Sequence, residues 1–193
     1  KNTEDFQFDK KKIKLIMLKK AHIVIYPVNK KNELNIVCII RQKYNDRINL
    51  SALITKKILS QNKNLENLFK NRLESWPIYV TKKPFKAKYE NIFYLGDAFY
   101  TFLPTMAQGA SQSIESAYEL FNLLSKDPKD LQNLYFTKRI ERIKLVNFRS
   151  KLNYYSFHLS NPLMINTRNY LLKKITKSRK FLNSYLANIY KKI

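Results

Sequence analysis

The chain has 193 residues and a mass of 23.1 kDa, room for one sizeable domain or two small ones. Lys and Arg total 37 against 14 Asp and Glu, a formal net charge of +23, yet hydrophobic residues make up 45% and aromatics 13%, which excludes wholesale disorder. No run approaches the roughly 18 apolar residues of a spanning helix. The opening twenty residues are charged throughout, unlike a secretory leader. A single cysteine excludes a disulfide framework and a Cys-based zinc site and fits a reducing, cytoplasmic setting. There are only 2 glycines, where ordinary usage would give roughly 14. That scarcity, with abundant Lys, Asn and Ile, is what an AT-rich coding sequence produces, so much of the charge reads as compositional drift. Each glycine that does occur is expected to have a backbone reason. The chain begins without Met and enters strand-like sequence almost at once, as a piece of a longer protein would.

In chain order, Ile13, Leu15 and Met17 alternate as in an edge strand. His22–Tyr26 and Leu34–Ile40 are β-branched runs of strand length, separated by the polar turn formers Asn29 to Glu33, which predicts an antiparallel hairpin. Pro27 ends the first ladder or lies on an edge. From Ser51 to Ser75 the pattern is helical, with Leu53, Ile58, Leu65, Leu68, Phe69 and Leu73 as buried candidates. Trp76 to Val80 is extended, and Ile92 to Leu95 is a short apolar strand closed by Gly96-Asp97. Gln108 to Ser125 is a helix whose apolar positions are Ala110, Ile114, Ala117, Phe121 and Leu124. A helix follows over 129–159, with Leu134, Ile140 and Val146 among its apolar residues. Asn161-Pro162 breaks the chain, and 163–193 forms one last basic helix. This order describes an α+β or α/β piece.

Both glycines fall in one stretch, Leu95 to Ala110. It reads as a strand ending in a Gly-Asp turn, a loop held by Pro104, and a helix opening on Gln108-Gly109-Ala110. An acid at a strand end needs hydrogen-bond donors if it is to be buried, and ligand hydroxyls supply them. A helix start built from Gly and Ala lets a planar ligand approach free N–H groups, and its positive dipole end favours negative charge. A turn glycine beside a capping aspartate is the plainer reading of the dipeptide alone.

The whole stretch resembles the flavin-binding GD motif of the class A flavoprotein aromatic hydroxylases, GDAAH-x3-P-x2-GQG-x5-ED. Here it stands as GDAFY-TFL-P-TM-AQG-ASQSI-ES, with the spacing kept from Gly96 through Glu115. The hairpin His22–Val28 with Leu34–Val37, the segment Trp76–Tyr79, and Tyr135 with Arg139, Arg142, Val146 and Ser150 resemble further parts of salicylate-hydroxylase-like members. The likeness covers roughly residues 20 to 150. It implies an α/β fold: the later part of a glutathione-reductase-type FAD domain with part of a mixed β-sheet substrate domain, followed by C-terminal helices. In that scheme residues 1–90 complete the substrate domain, 91–125 form the returning FAD-binding strand, loop and helix, and 126–193 form the C-terminal helices. The family's GxGxxG and its Asp-Gly motif are absent from this sequence, so the ADP-binding half is expected to lie elsewhere.

The resemblance also implies roles. Asp97, after Gly96, would bond the ribityl or pyrophosphate part of FAD. Gln108, Gly109 and Ala110 would bring N–H groups to the pyrimidine edge of the isoalloxazine, where charge develops on reduction. Pro104 would shape the ring-facing loop. The implied reaction is hydroxylation of a small aromatic ring by O2 through a flavin C4a-hydroperoxide, with NAD(P)H as reductant; no catalytic side chain is assigned. Three positions depart from the motif: Tyr100 for His, Ala107 for the first Gly of GQG, and Ser116 for Asp.

Elsewhere, Cys38 reads as inert core, and His22 and His158 are too few and too separated for a metal site. Trp76 reads as packing, and Glu115 with Glu119 as a solvated helix face. Residues 167–193 contain no acid and carry Leu171, Ile175, Leu182, Leu186, Ile189 and Ile193 largely on one stripe, suited to peripheral contact with an anionic membrane surface. Other readings are a same-fold flavoprotein with another redox task, or a basic nucleic-acid binder. The basic residues match no nucleic-acid recognition motif, so no specific nucleic acid is expected. A homodimer is left open.

Overall fold

A computed structural model describes residues 12–28, 33–42, 49–70, 73–126 and 128–190, with side chains to residue 185. The chain divides into two compact units, one of Lys1–Pro77 with Tyr155–Asn169 and one of Ile78–Tyr154 with Tyr170–Ile193.

In the first unit, strands β1 (Lys14–Leu18), β2 (Ala21–Pro27) and β3 (Leu34–Ile40) form an antiparallel sheet with β2 in the centre. Ile16 pairs with Ile23 and Ile23 with Cys38, so one face carries Ile16, Leu18, Ala21, Ile23, Ile25, Ile36 and Cys38. Lys20 turns the chain between β1 and β2 at φ 59, a left-handed position held without glycine. The predicted hairpin is present with Pro27 paired to Leu34 at its end; the connecting residues 29–32 lie outside the described residues. β1 is an edge strand, but Ile16 and Leu18, not the Ile13, Leu15 and Met17 set, reach the core.

The helical reading of Ser51–Ser75 is corrected. Helix α1 (Leu50–Ile54) runs into a π-helical turn (Thr55–Leu59), and a separate 3-10 helix covers Lys63–Phe69. Polar side chains break it. Ser60 Oγ and Gln61 Nε2 donate to the carbonyls of Lys56 and Lys57, both at 2.6 Å, and Asn62 turns extended to cap the next helix. Ile54, Ile58, Leu65 and Leu68 still pack on β2.

The second unit holds a one-turn helix α2 (Gly96–Phe99), α3 (Gly109–Leu124) and most of α4 (Leu131–Phe157). No strand forms at Ile92–Leu95 among the described residues. That segment is held by side chains of α4 instead: Tyr135 Oη donates to Tyr94 O (3.0 Å), and Gln132 Nε2 to Tyr89 O (2.8 Å). Phe99, Tyr100 and Ile143 form its apolar centre, with Phe99 edge-on to Phe136.

Two sets of apolar positions are corrected. The α3 stripe of Ala110, Ile114, Ala117, Phe121 and Leu124 is exposed, Ile114 by 73%; the helix turns Gln112, Ser116 and Leu123 inward. On α4, Val146 is buried but Leu134 is exposed, and the inner face is Tyr135, Arg139, Arg142, Ile143, Val146, Arg149 and Ser150. The acids of α3 pair with the arginines of α4, which draws the polar face in. Trp76 is 72% exposed and so is not packing.

The last predicted helix is two, α5 (Pro162–Ile175) and α6 (Arg179–Tyr190). Asn161 Oδ1 caps α5, accepting from Leu163 N–H, and Ser178 Oγ caps α6, accepting from Phe181 N–H. Leu171 and Ile175 therefore lie on a different helix from Leu182, and the single stripe does not exist. The side chains of Leu186, Ile189 and Ile193 lie outside the described residues. No described helix is long and apolar enough to cross a membrane.

Candidate functional site

Gly96 carries φ +52, and a Cβ there would stand 2.3 Å from Ser113 Oγ and 2.9 Å from Ser113 Cβ. Its N–H donates to Ser116 Oγ at 3.2 Å, while that hydroxyl donates to Ser113 O at 2.8 Å. Glycine is required here twice over, by backbone angle and by the approach of α3. Ser116, one of the departures from the motif, thus ties the Gly-Asp turn to the helix. Asp97 sits in the first turn of α2 and is exposed.

From α2 the chain passes through Tyr100, which is buried beside Phe102; burial pushes its phenol pKa up, partly offset by a hydrogen bond with Asn147. The side chain that replaces the motif's histidine is therefore core. Pro104 opens a 3-10 turn through Met106, pinned to α4 because Thr105 Oγ1 donates to Ser150 O (2.6 Å) and Asn153 Nδ2 to Thr105 O (3.3 Å). Ala107 follows at φ 51, ψ 36, in the left-handed region that favours glycine.

Gln108 is the N-cap of α3, buried to 5% exposure, yet its side chain makes no capping bond. The first intrahelical bond is Gln112 N–H to Gln108 O at 2.8 Å, so the N–H groups of Gly109, Ala110 and Ser111 have no acceptor within the helix. Gly109 and Ala110 are exposed, and nothing lies within 4 Å of a Cβ built at Gly109. The structure thus puts Gln108, Gly109 and Ala110 at the start of α3 and seats Gly96 one to two turns further along it, against Ser113 and Ser116, with Asp97 next to it on the turn and Pro104 on the connecting loop.

Behind this end lies a network that the reading of a solvated Glu115 and Glu119 missed. Arg139 Nη1 donates to Glu115 Oε1 (3.1 Å) and Glu119 Oε2 (3.2 Å), Arg139 Nη2 to Gln112 Oε1 (2.9 Å), and Arg142 Nη2 to Glu115 Oε2 (2.9 Å). Two cations face two carboxylates, so the buried charge is balanced. The signal was present in sequence: Tyr135, Arg139, Arg142, Val146 and Ser150, which carry the family resemblance on this helix, are all buried.

In the sheet unit, His22 Nδ1 and His158 Nε2 stand 2.7 Å apart, both buried, and Lys20 N–H donates to His158 O (3.3 Å). Burial, then the neighbouring His158, lowers the His22 pKa to about 4; burial, then Arg41, lowers that of His158 to about 4. Both are neutral at pH 7, one donating and the other accepting. Burial pushes the Cys38 thiol up to about 12, consistent with an inert side chain. No group of three metal-ligating side chains occurs among the described residues.

The backbone has a fold found in solved flavin-dependent hydroxylases. Two solved structures share it. HpxO of Klebsiella pneumoniae, crystallised with FAD and uric acid, matches with a TM-score of 0.72 at 16% identity, over 93% of this chain and 48% of its own. A salicylate hydroxylase substrate complex matches with a TM-score of 0.60 at 15% identity, over 90% of this chain and 49% of its own. The chain spans about half the length of either, and at these identities the likeness is one of fold. No family model and no curated protein matches the sequence itself.

Proposed function

We propose that this chain supplies the returning flavin-binding loop and part of the substrate domain of an FAD-dependent monooxygenase, which hydroxylates a small aromatic or heteroaromatic ring with O2 and NAD(P)H. One observation carries the reading. On the fold shared with flavin hydroxylases, Gly96 is seated against α3 and the start of that helix stays uncapped and open at Gln108, Gly109 and Ala110. When bound, FAD supplies the oxygen-transfer chemistry, and these residues hold and orient it. Asp97 would accept bonds from the ribityl or pyrophosphate part, the α3 N–H groups would serve the pyrimidine edge, and Pro104 would shape the loop beside the ring. Ala107 takes a left-handed backbone, Tyr100 packs in the core, and Ser116 holds the Gly96 turn, so each of the three departures has a place within this chain.

The residue divisions 1–90, 91–125 and 126–193 follow the same reading, as does an ADP-binding half that covers the exposed α3 stripe. HpxO, holding uric acid, favours a flat heteroaromatic substrate. The test is a visible absorption spectrum of the native full-length gene product. Two flavin bands, lost on Asp97→Ala, are expected; a folded, colourless protein that takes up no added FAD overturns the reading.

Peripheral membrane contact has its own observation. Leu163, Met164, Tyr170 and Leu171 project from one exposed face of α5, followed by Lys173 and Lys174. Cosedimentation with anionic but not neutral vesicles, weakened by Leu171→Glu, is the expected result.

A further inference from the structure

The polarity of a carboxamide is ordinarily ambiguous, because its oxygen and nitrogen have nearly the same shape. At the start of α3 it is not. Arginine has donors only, so the atom of Gln112 at 2.9 Å from Arg139 Nη2 must be its oxygen. The NH2 of Gln112 then faces two acceptors, Glu115 Oε2 at 3.0 Å and Gln108 Oε1 at 3.4 Å. The carboxylate also has no donor, which fixes the same orientation from the other side. Gln108 therefore turns its oxygen inward. Its Nε2 makes no hydrogen bond with the described residues, and the side chain does not cap its own helix.

We infer that Arg139, acting through Gln112, is a positioning residue that holds the Gln108 carboxamide with its NH2 presented at the open end of α3, so that this site takes a ligand edge of hydrogen-bond acceptors, ring carbonyls or an anion, and disfavours an edge of donors. The inference rests on the flavin reading for the identity of that edge, the pyrimidine carbonyls of the cofactor, but the relay itself is a property of this chain. The N–H groups of Gly109, Ala110 and Ser111, which have no acceptor within the helix, point to the same preference. Placing a carboxylate at 112 reverses the relay: it still satisfies Arg139, it gives up the bond to Glu115 and stands against that carboxylate, and it must accept from Gln108, which turns its oxygen outward.

Two measurements separate the relay from its ligand. In the full-length protein without cofactor, solvent exchange of the side-chain NH2 protons is read by NMR. The Gln112 protons are expected to exchange at least about tenfold more slowly than those of Gln108; the reverse order overturns the relay whether or not flavin binds. In the FAD-loaded protein, Gln112→Glu is expected to weaken FAD binding at least about tenfold and to move the carbonyl stretching band of the bound flavin to higher frequency. In the Gln108→Met background the same change should do neither. Unaltered affinity and band position in Gln112→Glu overturn the proposal. A wild-type protein with the expected exchange order but no FAD uptake sinks the flavin reading and leaves the donor-presenting relay supported.

Discussion

The sheet unit and the α3–α4 pair bury comparable elements by opposite chemistry. Around β2, the inward residues are Ala21, Ile23 and Ile25, and the helices above add Ile54, Ile58, Leu65 and Leu68. Between α3 and α4, the inward residues include Gln112, Ser116, Arg139 and Arg142, while Ile114 and Phe121 face outward. Apolar burial is non-directional and tolerates imperfect geometry. A buried ion network is directional, and each charge depends on its partner. Apolar periodicity therefore locates the first kind of interface and inverts the second.

The largest expected effect comes from removing one charge of the network. Arg139→Met takes the arginine from Glu119 and leaves Glu115 to Arg142 alone, and should cost about 3 kcal/mol in chemical denaturation; a loss under about 1 kcal/mol would mean the network is solvated. Ile23→Ala, a cavity in the apolar core, should cost about 2–4 kcal/mol. Because those two sites have no common partner, their losses should add in the double variant.

The histidine pair makes a pH test. Both pKa values are lowered in the folded state, so the unfolded chain binds more protons between pH 6.5 and about 4. The neutral pair's contribution is complete above pH 6.5 and is lost as the pH falls through that window, at about 1.4 kcal/mol per pH unit for each proton taken up. His22→Asn should flatten the acid side of the stability profile; an unchanged slope would mean the pair is not buried in solution.

Smaller still, Ala107→Gly relieves a left-handed alanine and should gain about 1 kcal/mol. A loss would mean the backbone at 107 is not left-handed. Smallest of all, Ile114→Ser on the exposed stripe should change the stability of this chain by less than about 0.5 kcal/mol. A loss of 2 kcal/mol would show that the stripe is covered.

Much of the site could be read from residues alone. With two glycines in the chain, their placement at Gly96 and Gly109 marked a turn and a helix start, and the structure gives the first a φ of +52 and the second open space. The three strands were legible because β-branched alternation is a local property, and so were Asn161-Pro162 as a helix boundary and the Tyr135–Ser150 positions of the resemblance. The chemical meaning of Tyr100 and Ser116 was not. Each looked like a departure at a ligand site, and each proves to be satisfied inside the protein, in the core or on the Gly96 N–H.

Sequence by itself determined what neighbours along the chain control: the three paired strands, the turn at Gly96, the start of α3 and the boundary at Asn161-Pro162. Tertiary structure alone decided which face of α3 is inward, that His22 meets His158 across 136 positions, and that Arg139 reaches Gln112 across 27. The physical reason is that charge pairing and carboxamide polarity depend on what stands opposite in space. A glutamate reads the same along the chain whether water or an arginine faces it.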